Sequence, residues 1–282
     1  MSGAAAREAG IPAKVDLGAY CARIGYSGPL TPTLETLAAL LELHPAAIPF
    51  EAIDVLLDRG VDLAPAAVDA KLLGARRGGY CYEHNGLFKR VLEAIGFDVE
   101  GLIARVNWMA PPDAPLSPPT HMVLRVTIGG EAWLADVGFG SCVPTAPLHL
   151  NSSEPQQTGH EAFRFVPMAR ELQLEALIED EWRPIYRITG APQMDVDYEL
   201  PNWYTATHPS SHFRHRLIVT RTTPEARHIL AGRRLTVRAP DGVAERRMLT
   251  ADEIERELAE RFTLPVAPEW RAVIERAAET ED

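Results

Sequence analysis

The stretch "RRGGYCYEHNGLFKRVLEAIGF", Arg76 to Phe97, marks a change in the chain's periodicity. From Cys81 onward, Leu87, Phe88, Val91, Leu92 and Ile95 fall on one face of a helix, and Gly96 is the residue that stops it. Before Cys81 the text reads helical; after Phe97 its period is two. Gly78 and Gly79 allow tight backbone geometry and close approach behind Cys81, a setting that a packing cysteine does not need.

Upstream, residues 1–14 are rich in Ala and Gly and are expected to fray. "TPTLETLAALLELH" carries Leu34, Leu37, Leu40 and Leu41 at helical spacing with Thr33 as N-cap, and Pro65 opens a second helical pattern. Downstream, "GLIARVNW", "HMVLRVTI", "AWLADVGF", "EAFRFVP", "LQLEALI" and "WRPIYRI" read as short strands separated by turn signals, which implies antiparallel sheet and a barrel. A proline-rich loop, 111–120, interrupts them. Past about Asp195 come "NWYTATHPSSHF", two strands over 216–222 and 233–239, and a helix with the capping box Thr250 and Glu253. There is no internal repeat. The layout is α+β: a helical unit over 1–96, a β-barrel unit over 97–198 and an α/β unit over 199–282.

Composition narrows the function. A chain of 282 residues, 46% hydrophobic and 24% charged, is an ordinary globular protein. Its net charge of −11 and lack of a basic block argue against nucleic acid or an anionic membrane as partner. No apolar run is long enough for a membrane span or secretory leader. Three cysteines, Cys21, Cys81 and Cys142, are too few and too scattered for a disulfide framework, so a reduced, cytoplasmic protein is expected.

A thiol attacks as thiolate, and both a helix N-terminus and a neighbouring imidazolium favour that anion. Of nine histidines, His121 is the best placed, since it opens a strand directly after the proline-rich loop. Asp136 follows fifteen residues later at the end of the next strand, where it could orient the imidazole. The order Cys, His, Asp on a helix and then two strands is that of papain-like folds. A zinc site from Cys81, His84, His121 and Cys142 is disfavoured by the lack of a close Cys pair. Neither "GGY" nor "VGFG" has the spacing of a nucleotide phosphate loop.

"RGGYCYEHNGL" resembles the active-site motif of the arylamine N-acetyltransferases, in the form typical of actinobacterial members. The resemblance extends through "YCARIGYSGPLTPTLETLAALLELHPAAIPFEAID", "THMVL", "DVGFG" with "TAPL", and "NWYTATHPSSHF". It implies a helical bundle, a barrel and an α/β lid around a core like that of cysteine proteases. It implies acetyl-coenzyme A as co-substrate without a metal, and an arylamine or hydrazine as acceptor. Carried over, the nucleophile is Cys81, the base His121 and the orienting acid Asp136. Arg77 and Glu51 match a structural ion pair. Phe50, Phe139 and Phe213 match positions that line the acceptor pocket, and Gly138, Phe139 and Gly140 match the loop beside the coenzyme A chain.

Two departures stand out: Ala52 replaces the usual asparagine, and Ser141-Cys142 follow "VGFG", where glycine and a polar or aliphatic residue are commoner. Cys142 and Cys21 read as packing residues. Macrolactam-forming amide synthases and a cysteine hydrolase would use the same triad, and self-association is left open.

Overall fold

The computed structural model describes residues 15–111 and 114–280. The expectation for residues 1–14, and part of that for the proline-rich loop, lie outside them. The first helices are α1 (Leu17–Ile24), α2 (Leu34–Ala47), α3 (Ile53–Leu56), α4 (Pro65–Asp69) and α5 (Cys81–Ile95). Their ends follow from local chemistry. Thr33 caps α2 by accepting from the Thr36 amide, Pro65 starts α4, and Gly96 ends α5 with a left-handed φ of 106°. A short strand, β1 (Phe50–Glu51), breaks the helical series.

Eight antiparallel strands follow: β2 (Asp98–Val106), β3 (Pro119–Ile128), β4 (Glu131–Ala135), β5 (Leu148–His149), β6 (Gln156–Gln157), β7 (Ala162–Met168), β8 (Glu171–Ile178) and β9 (Glu181–Thr189). Their order is β5-β4-β3-β2-β9-β8-β7-β6. The two ends nearly meet: the Gln156 side chain accepts from the His149 amide at 2.6 Å and donates to the His149 carbonyl at 3.1 Å. A nearly closed barrel results, filled by Leu102, Val123, Phe163, Leu174, Ile185 and Tyr186 among others. Alternation along β3 gives its two faces different neighbours. Val123 points into the barrel, while Met122, Leu124 and Val126 pack with Leu87, Phe88 and Val91 of α5.

The last part contains α6 (Glu199–Thr207), the strands β10 (Ile218–Thr222), β11 (Arg227–Ala231), β12 (Arg234–Ala239) and β13 (Gly242–Met248), and the helices α7 (Ala251–Glu260) and α8 (Arg271–Glu279). Thr250 and Glu253 form the capping box of α7. Leu230 and Leu235 pack with Ile254, Leu258, Phe262, Trp270 and Ile274 in a separate core.

The structure corrects the sequence reading in two places. The stretch before Gly96 is not wholly helical, because Phe50 and Glu51 pair with Thr220 and Val219 of β10. The C-terminal sheet has order β1-β10-β11-β12-β13, so it holds three strands beyond the two expected: β1, β11 and β13.

Candidate active site

Cys81 is the first residue of α5, with Tyr80 as N-cap. Helix geometry leaves the first amides of α5 without intrahelical acceptors. Glu83 accepts the Tyr80 amide at 3.0 Å and is held by Lys71 at 2.7 Å, which secures the entry to the helix. Gly138 packs flush against it: a Cβ there would lie 2.8 Å from the Cys81 Cα. The glycine is thus required by close approach.

His121 comes to the same place from β3. Continuing the β3–β4 register, in which Leu124 faces Ala135, puts Asp136 opposite Val123 and diagonal to His121. The contact is direct, with His121 Nε2 2.7 Å from Asp136 Oδ2. Nδ1 is then the nitrogen left for Cys81, which is among the groups that raise His121. The sulfur donates to the carbonyl of Thr120, the residue next to His121, at 3.8 Å. Cys81, His121 and Asp136 are all buried, with 5%, 3% and 0% of their surface exposed.

Burial by itself would lower His121. The charge and hydrogen bond of Asp136 outweigh it, the Cys81 thiol adds to them, and the ring is raised to about 10. For Asp136, burial favours the acid form, but His121, Asn85 and the Gly138 amide hold the carboxyl below its ordinary range. The carboxylate is saturated. Oδ1 accepts from Asn85 Nδ2 at 2.9 Å and the Gly138 amide at 2.8 Å, while Oδ2 also accepts the Tyr186 hydroxyl at 3.0 Å.

Asn85 and Tyr186 were absent from the sequence reading. Asn85 also donates to the Met122 carbonyl at 2.7 Å and accepts the Val137 amide at 3.0 Å, tying α5 to both strands of the site. Its signal was in the motif: Glu83, His84 and Asn85 are three consecutive polar residues, all buried. Tyr186 sits on β9 and offers no such cue.

The aromatic candidates divide between two sides. Phe139 stands edge-on to His121 at 5.1 Å and lies 5.2 Å from Tyr186. Phe50 and Phe213 meet each other at 5.8 Å, and Phe213 also meets Tyr80 at 6.0 Å. Gly140, with φ of 78°, lies where a Cβ would be 3.3 Å from Phe50. The loop Gly138–Gly140 therefore runs from the Cys81 backbone to Phe50. A separate hollow of about 280 Å³, lined by Glu42, Thr145, Thr158, His160 and Thr223 among others, contains none of these residues.

Arg77 Nε donates to Glu51 Oε1 at 2.9 Å and Arg77 Nη1 to Asp54 at 3.1 Å. Ala52 leaves α3 without a side-chain cap, and Glu51 Oε2 accepts the Ile53 amide at 2.8 Å instead. Cys142 is buried in the barrel interior, where burial, reinforced by Glu161, pushes its thiol up to about 12. Cys21, on α1, is raised by burial too. His84 bonds to His44 and Pro49, and no metal-holding cluster occurs among the described residues. No helix among them is long and apolar enough to cross a membrane.

The model of a family described as N-acetyltransferase matches residues 33–271. An arylamine N-acetyltransferase of Mycolicibacterium smegmatis is 42% identical over 272 residues, covering 95% of this chain and 99% of the relative. Among solved structures, the arylamine N-acetyltransferase of M. tuberculosis superposes with a TM-score of 0.89 at 41% identity, over 94% of this chain and all of that one. The Mycobacterium marinum arylamine N-acetyltransferase, solved in complex with CoA, gives 0.89 at 40% identity over 94% and 98%. The fold, its cysteine-protease-like core and the extent of these matches agree, and the chain belongs to the arylamine N-acetyltransferase family.

Proposed function

We propose that this enzyme transfers an acetyl group from acetyl-coenzyme A to the nitrogen of arylamines and hydrazines, or the oxygen of N-hydroxyarylamines, through an acetyl-Cys81 intermediate. One observation carries the reading: His121 lies 2.7 Å from Asp136, and the Cys81 sulfur, at the start of α5, bonds the carbonyl of Thr120 next to that histidine. The M. marinum relative's complex with CoA supports the donor, and the relatives' names support the acceptor.

At the start of the first half-reaction the Cys81 proton rests on His121 Nδ1, where Asp136 stabilises the imidazolium. The thiolate forms a bond to the thioester carbonyl carbon. The first amides of α5, that of Cys81 included, face the developing oxyanion. As the carbon–sulfur bond to coenzyme A breaks, His121 returns the proton to the leaving thiolate. In the second half-reaction the amine attacks acetyl-Cys81, His121 takes the amine's proton, and the Cys81 thiolate leaves, which makes the kinetics ping-pong.

The Gly138–Gly140 loop borders the donor side in this reading, and its fit rests on how closely it lies against Cys81. Phe50 and Phe213 form the acceptor side, with Phe139 packed on His121 between them. Arg77 and Glu51 are a structural pair. We keep the division into units over 1–96, 97–198 and 199–282; the helical core extends onto Met122, Leu124 and Val126 of β3, Ile53 packs in the C-terminal core, and β1 joins the C-terminal sheet.

The test is acetyl-coenzyme A without acceptor. Intact mass and peptide mapping should find one acetyl on Cys81, and added aniline should discharge it as acetanilide. Turnover with unmodified Cys81 would overturn the intermediate; steady release of free acetate, unaffected by aniline, would make the enzyme a hydrolase.

A further inference from the structure

The segment Pro49–Glu51 joins the two halves of the site. Phe50 bridges Gly79 on one side and pairs with Thr220 on the other, and the Glu51 amide donates to the Gly79 carbonyl at 2.8 Å. Behind it runs a buried chain of side chains. His84, one turn into α5 from Cys81, has Nε2 3.2 Å from the Pro49 carbonyl. A carbonyl only accepts, so Nε2 carries the proton and Nδ1 of the neutral ring must accept. His44 Nε2, 2.8 Å away, is therefore the donor to it, and His44 Nδ1 accepts the Tyr20 hydroxyl at 2.9 Å.

The ring nitrogens are matched in sense, with the Gly79 backbone also beside His84, and Tyr20, His44 and His84 are completely buried. Burial, with the charge of Lys71 adding and the Pro49 carbonyl opposing, lowers His84 to about 4, so the ring is neutral at physiological pH. An apolar side chain would pack here without the cost of burying imidazole. What it could not do is hold the Pro49 carbonyl. The Phe50 ring lies parallel to His84, within 10° and 6.3 Å between centroids.

We propose that His84 is a positioning residue: through the Pro49 carbonyl, with its ring orientation set by His44 and Tyr20, it holds Phe50 at a set distance from Cys81 and so shapes the acceptor side of the site. The proposal rests on the reading of Phe50 as an acceptor wall. It explains why one helix carries both the nucleophile and the clamp, since any shift of α5 then carries Phe50 with it.

The experiment compares His84→Leu, which removes the donor, with His84→Gln, which keeps an N–H near the place of Nε2. Binding of aniline is measured by ligand-observed NMR in a Cys81→Ala background, and iodoacetamide alkylation of Cys81 in the single variants. His84→Leu should weaken aniline binding about tenfold, the scale of one lost buried hydrogen bond, while alkylation changes less than about threefold. His84→Gln should recover most of the affinity. Amide exchange at Glu51 reads the positioning without ligand and should quicken in His84→Leu and recover in His84→Gln.

Unchanged Glu51 exchange in His84→Leu, equal behaviour of the two variants, or alkylation falling in step with affinity would overturn the proposal. If the Cys81→Ala protein binds no aniline but Glu51 exchange still responds, the clamp stands and the acceptor assignment of Phe50 falls. Should His84→Leu not fold, Tyr20→Phe removes only the outermost hydroxyl and is read in the same way, with a smaller effect.

Discussion

His121 presents Nε2, not Nδ1, to Asp136 Oδ2, so the same ring can serve Cys81 only through Nδ1. Asp136→Asn tests this directly. Asn85 and the Gly138 amide both donate to the Oδ1 position, which selects the amide oxygen of asparagine for that side. The amide nitrogen then faces His121 Nε2 and donates to it, leaving the ring proton on Nδ1, where it cannot receive one from the thiol. The equivalent change in a serine triad costs about 10⁴ in rate. A thiol needs less help, so the expected loss of acetyl transfer is roughly 10²–10⁴, on protein shown folded by circular dichroism. Parent-like rates of transfer and of Cys81 alkylation would remove Asp136 from the mechanism.

The same pair makes stability depend on pH. The folded His121 value, about 10, lies above the ordinary 6.5, so its stabilisation is full below 6.5 and is lost as pH rises through about 10. The melting temperature of the parent should exceed that of His121→Gln most at pH 6, and the gap should narrow steadily toward pH 10. A gap that widened with pH would mean the ring is neutral in the folded protein. Since Asp136 and His121 interact closely, the titration observed belongs to the pair.

Alkylation separates the three cysteines. Burial raises Cys142 to about 12 and also raises Cys21, whereas Cys81 alone has an imidazole in contact. Iodoacetamide at neutral pH should label Cys81 first, and acetyl-coenzyme A should protect it. Peptide mapping that finds Cys142 modified first with activity retained would refute the nucleophile.

Gly138→Ala probes the seating of the loop on the helix. Its Cβ would meet the Cys81 Cα and the Asn85 side chain, each at 2.8 Å, and neither backbone nor a buried, fully bonded amide yields easily. We expect a folded but less stable protein whose acetylation of Cys81 falls by an order of magnitude or more. Normal single-turnover acetylation would show that the loop moves away freely.

What was legible in the sequence follows the physics of each element. β7 alternates because only one of its faces fills the barrel, β2 and β3 read instead as short apolar runs buried on both faces, and α5 announces itself through its apolar stripe and Gly96. By contrast, β11 opens on Arg227 and His228, and β13 holds Glu245, Arg246 and Arg247 in a row. β13 offers little buried face, with Val243 43% and Met248 47% exposed, so no period-two signal marks it. β1 has two residues, too few for any period, and exists only because β10 and Gly79 supply its partners. Cys81, His121 and Asp136 stand at element ends that the sequence marks. Tyr186 reaches Asp136 only because the barrel curls β9 back beside β2, a long-range consequence that no local pattern announces.

Arg77 holds a larger charge cluster than one pair. It bonds Glu51 and Asp54, and its guanidinium lies 4.8 Å from the Trp270 ring centroid. Lys71 in turn is 2.8 Å from Asp54 and 2.7 Å from Glu83. Arg77→Met therefore leaves three carboxylates to share one ammonium, with the Glu51 side chain completely buried. Removing one partner of a buried pair costs about 3–5 kcal/mol, so a large fall in melting temperature is expected. A buried carboxylate stripped of its partner prefers the acid form, so the deficit should shrink as pH is lowered from 8 to 5. Arg77→Lys should recover only part of it, because a point charge cannot span both carboxylates. A variant that melts with the parent at every pH would show that the cluster contributes nothing to the fold.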